Sequence, residues 1–407
     1  MRIVDLALVL MLAVLMVLTS TLVYLLLEDR PIRDYPYLPA DSMDRFVFPD
    51  TFPVNDTIVE YLRDSGNYLV QHIQSSGKWD YEYEPSEDRN LARYNILRHA
   101  GTTYSLALIF KYTREPDHYN GTVKTLNYLL SRHLHFEEWN GIEVAYMEEK
   151  GLVKLGGAAL AILAIVEVEG IDPVAKYERE LEGLGEFMLQ MQYANGSFQC
   201  FYKDRENEHS NYYPGEALIA LARLYEHTGR EEYRTALERG LGFYNPYFGT
   251  GYTAYTPWAT EAMVYAYGWN GNDSYLAQCY AMAESCRSGQ IKPGPKVEEE
   301  RIGGWGSDPA ANGASRVEGV VDSYLLAKRT NDTERMTRYD QTMTFAASFL
   351  INLQYDEEEA AQFPNPEKVE GGTPLSYSED NVRIDYVQHA VVVMVKILVY
   401  RETDLNI

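Results

Sequence analysis

The chain has 407 residues, enough to bury a large core and to hold one to three domains. Its formal net charge of −24 argues against a nucleic-acid partner, because phosphates need a basic footprint. Three cysteines, Cys200, Cys279 and Cys286, rule out a disulfide framework, and no cysteine–histidine spacing suits zinc; the sequence gives no reason to expect a metal or a cofactor.

Residues 6–27 carry no charge and form an apolar run long enough to cross a bilayer as one helix. Arg2 and the terminal amine precede the run, Glu28, Asp29 and Arg30 follow it, and no small-x-small cleavage site appears. We therefore expect residues 1–30 to be an uncleaved single-pass membrane anchor, N-terminus inside and the body outside the cytoplasm; a cleaved signal peptide is the alternative. Asn-x-Ser/Thr sequons at Asn55, Asn120, Asn195, Asn272 and Asn331 permit glycosylation there. Residues 31–53, rich in proline and aspartate without a helical period, read as a stalk.

From residue 54 to 407 apolar residues recur at helical spacing in twelve segments. The odd-numbered segments, 56–74, 119–132, 174–191, 231–244, 273–287 and 332–353, keep a charged face. The even-numbered ones, 95–112, 153–168, 214–228, 257–269, 315–330 and 384–401, are richer in small and apolar residues. Helices apolar nearly all round belong inside and those with a charged stripe outside. Six hairpins alternating outer and inner at a repeat near sixty residues predict an all-α fold, an (α/α)6 toroid.

The connections are lopsided. Inner-to-outer links such as "REPD", "GR" and "ND" are short, whereas outer-to-inner links are long. Every long link leads into an inner helix, so all long loops and all inner N-termini share one face, the expected mouth of a site. Inner helices open with polar heads ("RHAGTTYSL", "VKLGGAALA", "YYPGEALIAL", "YTPWATEAMVY", "SRVEGVVDSY", "RIDYVQHAVVV") and continue as apolar rods.

This architecture resembles the (α/α)6 toroid class over roughly residues 55–401. The class includes six-hairpin glycoside hydrolases, polysaccharide lyases, sugar 2-epimerases and the toroidal domain of uronyl C5-epimerases. The resemblance implies a carbohydrate-active enzyme. Two stretches, "YLVQHIQSSGKWDYEY" and "FMLQMQYANGSFQCF", are also similar to the glutamine–glycine–aromatic repeats of terpenoid-cyclase and prenyltransferase toroids. The Asp-rich motif of those cyclases and the zinc ligands of those transferases are missing, so the repeats read as turn chemistry.

Cations gather at the inner-helix heads, Arg98, Lys154, Arg316 and Arg383, against the sign of the whole chain. With six helix N-termini on the same face, this predicts an anionic, uronate-type glycan as partner. The alternative is that these cations pair with Glu216, Glu318 and Asp385 to fix helix register. The candidate acids and bases are Glu216, Glu261, Asp385, His389, Tyr386 and His99, with Tyr213 and Trp258 as substrate contacts. Asp385 and His389 lie four apart on one helix face, where a carboxylate can orient an imidazole. Two chemistries fit: hydrolysis with Glu216 or Glu261 and Asp385 as the carboxyl pair, or lyase or epimerase chemistry, with arginine stabilising an enolate and His or Tyr moving protons. A glycan-binding or surface scaffold without turnover is the non-enzymatic alternative; it requires a plugged centre with every charge paired.

Overall fold

The computed structural model describes residues 43–48, 55–203, 210–308 and 310–402. The apolar run 6–27 and most of the stalk lie outside the described residues, among which no helix is long and apolar enough to cross a membrane.

Twelve helices longer than one turn are present among the described residues. The outer ones are α1 (Asp56–Gln71), α3 (Pro116–His133), α5 (Glu178–Gln190), α7 (Glu231–Phe248), α9 (Asp273–Arg287) and α11 (Thr333–Leu353). The inner ones are α2 (Ile96–Thr113), α4 (Leu155–Ile171), α6 (Tyr213–Thr228), α8 (Thr256–Asn270), α10 (Ala314–Arg329) and α12 (Ile384–Glu402). Their ends follow local chemistry. Asn55, Asn95 and Asn272 cap α1, α2 and α9 through their side chains, and Pro116, Pro214 and Pro257 occupy first turns, where a missing N–H costs nothing. The short links turn through left-handed residues at Arg114, Gly229 and Gly271.

Each inner helix packs against the next and the last against the first, which closes a ring; each outer helix lies on the inner helix before it, and α1 on α12. The inner helices form the core. In α4 nearly every residue from Leu155 to Val168 is buried, including Glu167, whose carboxylate pairs with Lys111 and Arg223. Hence α4 shows no polar stripe, unlike the outer helices.

The all-α expectation needs correction, because the long outer-to-inner loops build two small antiparallel sheets. One has the order β2-β1-β7-β6, from Arg89–Asn90, Glu82–Glu84, Glu379–Arg383 and Pro374–Ser376. Its central pairing sets Glu82 opposite Arg383 and Tyr83 opposite Val382, joining the first hairpin's loop to the last. The other is a meander of β3 (Leu134–Trp139), β4 (Ile142–Glu149) and β5 (Leu152–Val153), in which Leu134 faces Met147. Loops that cross the mouth cannot bury their backbone groups unpaired, and strand pairing satisfies them.

Glutamines in the turns after outer helices staple neighbouring outer helices, Gln192 from the second glutamine–glycine–aromatic stretch and Gln290 and Gln354 from the turns after α9 and α11. Gln192 Nε2 donates to Ala236 O of α7 at 2.8 Å, Gln290 Nε2 to Thr342 O of α11 at 2.9 Å, and Gln354 Nε2 to Tyr61 O of α1 at 3.1 Å. Gly196, at φ 93°, brings its backbone so close to α7 that a Cβ would sit 2.3 Å from Arg239 O. All three cysteines are buried, and none forms a disulfide among the described residues. The acidic loops are tied locally: Glu84 pairs with Arg89, and Asp356 and Glu359 form a capping box on a single helical turn.

Candidate active site

The polar heads of the inner helices surround one cavity of about 370 Å³ at the mouth of the ring. All six inner helices contribute: Leu97 and Arg98 from α2, Leu160 from α4, Tyr213 and Glu216 from α6, Pro257 and Trp258 from α8, Ser315 from α10, and Asp385, Tyr386, Gln388 and His389 from α12. Arg383, the last residue of β7, completes the wall.

Arg98 and Arg383 converge on Asp385. Arg98 Nε donates to Asp385 Oδ2 at 2.7 Å, Arg383 Nη2 donates to the same oxygen at 2.9 Å, and Arg383 Nε donates to Oδ1. Burial alone would push the Asp385 carboxyl up, but the Arg383 hydrogen bond and the charges of Arg98 and Arg383 hold it below the usual range. Two guanidiniums against one carboxylate leave one positive charge in excess at the cavity wall, in a chain of net charge −24. Arg383 also lies over the Tyr386 ring, 4.3 Å from its centroid.

Glu216 has the opposite environment. Its carboxyl is buried, its Oε2 has no hydrogen-bond partner, and burial raises its pKa to about 8 against the opposing charges of His389, Arg98 and Lys154. Room for it comes from Gly156 at the head of α4, where a Cβ would stand 2.0 Å from Glu216 Oε2. Glu216 is thus a neutral acid at pH 7 in the same cavity as an ionised Asp385. Such divergence of two carboxyls separates acid from base roles.

His389 Nδ1 is hydrogen-bonded to Glu318 Oε1 at 2.8 Å, and Glu318 is buried on α10. Burial alone would lower the His389 pKa; the Glu318 hydrogen bond and charge outweigh it and raise the group. The Trp258 ring lies 6.1 Å from the imidazole. Tyr213 lines the cavity beside Glu216 with its phenol pushed up to about 12 by burial. Tyr386 is likewise raised by burial, opposed by Arg383.

Of the twelve expected site residues, eight line the cavity: Arg98, Tyr213, Glu216, Trp258, Arg383, Asp385, Tyr386 and His389. Four do not. His99 faces the outer helix, where its Nε2 meets Thr125 O at 2.9 Å and burial lowers its pKa to about 3. Arg98 and His99 are about 100° apart on the helix, so only one of them can face inward. Glu261 lies among the inner helices away from the cavity lining, paired with Lys396 at 2.8 Å beside Asp322, which Lys396 also holds at 3.0 Å. Arg316 stacks on Tyr252 at 3.9 Å, behind the ring that lines the cavity. Lys154 caps α4 outside the lining, its charge still reaching Glu216. Of the carboxylates in the register alternative, Asp385 pairs with two of those cations, Arg98 and Arg383, whereas Glu318 meets His389 and Glu216 Oε2 has no hydrogen-bond partner.

Tyr252, Tyr212 and Asn95 line the cavity beyond the residues expected from sequence, and Glu318, which the register alternative pairs with a cation, is instead the partner of His389. For Tyr212 and Tyr252 a signal existed, since both sit in tyrosine-rich loops directly before an inner helix. Glu318 could be paired with His389 only once the order of helices around the ring was known.

No protein-family model matches the chain, and no curated protein matches its sequence. Solved structures do match. The GH76 α-mannanase BT2949 of Bacteroides thetaiotaomicron aligns at TM-score 0.58 and 13% identity over 85% of this chain and 96% of its own. A D-mannose isomerase aligns at 0.59 and 13% over 86% and 100%. A variant of UGL with dGlcA-Glc-Rha-Glc aligns at 0.59 and 14% over 83% and 96%. Identities of this size carry the fold alone, and the fold is the (α/α)6 toroid.

Proposed function

We propose that this chain is a carbohydrate-active enzyme that moves protons on an anionic, uronate-type glycan, by lyase or epimerase chemistry. The observation that carries this reading is a buried carboxyl and a carboxylate-oriented imidazole lining one cavity. Glu216 is a buried neutral acid, and His389 is an imidazole whose Nδ1 is taken by Glu318. With Nδ1–H donated to the Glu318 carboxylate, the neutral imidazole keeps its Nε2 lone pair as the base, a form gained as pH rises through the raised His389 pKa. The excess positive charge of Arg98 and Arg383 suits a substrate carboxylate, and Trp258, Tyr213 and Tyr386 offer faces for sugar rings. His389 Nε2 removes the proton alpha to the uronate carboxylate, and the guanidiniums stabilise the resulting enolate. Glu216 then returns a proton, either to the opposite face of the carbon or to the departing glycosidic oxygen. An open cavity with an unpartnered carboxyl oxygen speaks against a plugged scaffold. Residues 6–27 anchor the enzyme in a membrane with the toroid outside the cytoplasm, a reading that rests on the sequence.

Hydrolysis is the second reading. Glu216 as acid beside an ionised Asp385 favours it. It is weakened because both Asp385 oxygens already accept guanidinium N–H groups.

The test is a panel of uronate-containing and neutral polysaccharides incubated in deuterated water. Ultraviolet absorbance of unsaturated ends, or deuterium entering the uronate carbon, is the expected result. New reducing ends without either would establish hydrolysis. No change across the panel, with retained glycan binding, would leave a binding module and end the enzyme reading.

A further inference from the structure

The short segment 43–48, which precedes the first outer helix, is docked on the closed end of the ring. Val47 N–H donates to Ile171 O at 2.8 Å, and Arg45 reaches Asp172 at 2.6 Å, both at the C-terminal end of α4. Phe46 is buried against Phe110, near the end of α2, and Tyr119, in the first turns of α3, with centroids 4.9 and 4.7 Å away. Arg114, in the α2–α3 link, covers Phe48 at 4.6 Å. Every one of these partners lies where inner helices end and outer helices begin, which is the face opposite the cavity. Asn55, which caps α1, lies on that face as well.

Val47, within the docked segment and 55% exposed, and Val174, in the link after α4 and 64% exposed, lie on this closed face. The exposed tyrosines Tyr212, Tyr247 and Tyr377 sit on mouth-side loops or helix ends, where phenol rings suit sugar faces.

We infer that the toroid stands with its closed face toward the bilayer and opens its cavity away from it. This rests on the anchoring reading of residues 6–27 and deepens the proposed function. The chain enters the ring at the closed end, and five side-chain and backbone contacts hold it there, so the tether from the anchor reaches the ring at this face. α4 has 17 residues and is about 25 Å long at the helical rise, so the cavity mouth is at least that far from the docked segment. The substrate that fits is a glycan chain reaching in from beyond the membrane, rather than a sugar attached to a lipid of the same leaflet.

The experiment uses the full chain in phosphatidylcholine vesicles carrying a small fraction of headgroup-linked energy acceptor. Donor dyes are placed singly at Val174→Cys on the closed face and Tyr377→Cys on the mouth face; the native cysteines are buried. Transfer from position 174 several-fold above that from 377 is expected. Equal transfer, or more from 377, overturns the orientation. Flotation of the same vesicles is read separately: a chain that stays behind while its glycan activity persists removes the anchor and the orientation together and leaves the chemistry standing.

Discussion

His389 Nδ1 and Glu318 Oε1 are 2.8 Å apart, linking the last inner helix to its neighbour and aiming the imidazole at the cavity. A carboxylate that accepts Nδ1–H both fixes the tautomer and stabilises the imidazolium.

Glu318→Gln keeps the shape and removes the charge. The His389 pKa should fall, because burial would then act without its counterweight. An NMR titration of His389 reads this directly. The acid limb of kcat/KM should move to lower pH, with kcat reduced about 10²-fold. An unmoved imidazole titration would reduce Glu318 to a packing residue. The stability sign follows from the raised folded pKa: the contribution is complete below the unfolded value near 6.5 and is lost as pH rises through the folded value.

Glu216→Gln separates chemistry from stability. The folded pKa of about 8 lies above the unfolded value near 4.5, so the wild-type group stabilises the fold fully below 4.5 and loses that contribution as pH rises through 8. A glutamine cannot ionise. The variant should therefore gain on the wild type between pH 5 and 9, by on the order of 3–5 kcal/mol at the top of that window. Its turnover should fall about 10²-fold or more at every pH. Urea denaturation at the two pH values checks the first claim. Parallel curves for both proteins would mean that Glu216 is ionised in the fold and no acid.

How much of this was legible beforehand depended on periodicity. The inner helices announce themselves because apolar positions crowd all sides of "LGGAALAILAIVEV", and the ring follows from six such segments. The strands were missed although "HFEEWNGIEVAYMEE" carries their signal: Asn140 and Gly141, with φ of 54° and 80°, form the Asn-Gly hairpin turn. Depth was the other blind spot. Glu216 and Glu261 sit at comparable positions in their helices, yet one lines the cavity and the other meets Lys396, a partner more than a hundred residues away. Helical spacing gives direction around an axis; it does not give the height at which a neighbouring helix supplies a counter-ion.

Lys396 should be among the least replaceable residues of the core. Its ammonium is buried, with Glu261 at 2.8 Å and Asp322 at 3.0 Å, and Thr260 donates to Asp322 at 2.8 Å. Burial already pushes the Asp322 carboxyl up against the pull of Lys396. Lys396→Met would leave two buried carboxyls without their cation, at a cost of about 3–5 kcal/mol. The triple variant that adds Glu261→Gln and Asp322→Asn should recover most of that loss. Chemical denaturation of the three proteins decides, and a single variant as stable as the wild type refutes the ion-cluster account.

Asp385→Asn should do more than stop turnover. The carboxylate holds two guanidiniums, and its loss leaves both without a counter-charge in a half-buried wall. The expected destabilisation is about 2–3 kcal/mol at pH 7. Because the folded pKa is depressed, this contribution is present above the unfolded value near 3.8 and is lost as pH falls through the folded value. The melting points of the two proteins should thus converge under acid conditions. A constant gap down to low pH would mean that shape, not charge, makes the difference.

Two adjacent glycines offer the sharpest test of the acid. At Gly156 a Cβ would lie 2.0 Å from Glu216 Oε2 and 2.7 Å from Tyr213 Cδ1, so Gly156→Ala must displace the carboxyl. At Gly157, one residue on and about 100° around the helix, the nearest atom is Met147 Cβ at 3.2 Å, on β4 and away from the cavity. Both substitutions gain up to about 1 kcal/mol of helix propensity, so neither should unfold the ring for lack of it. Gly156→Ala should lower kcat about 10²-fold and shift the basic limb of the pH profile that reports Glu216, while Gly157→Ala keeps both near wild type. Equal losses in the two variants would trace the effect to the packing of α4 and take the proton-donor role away from Glu216.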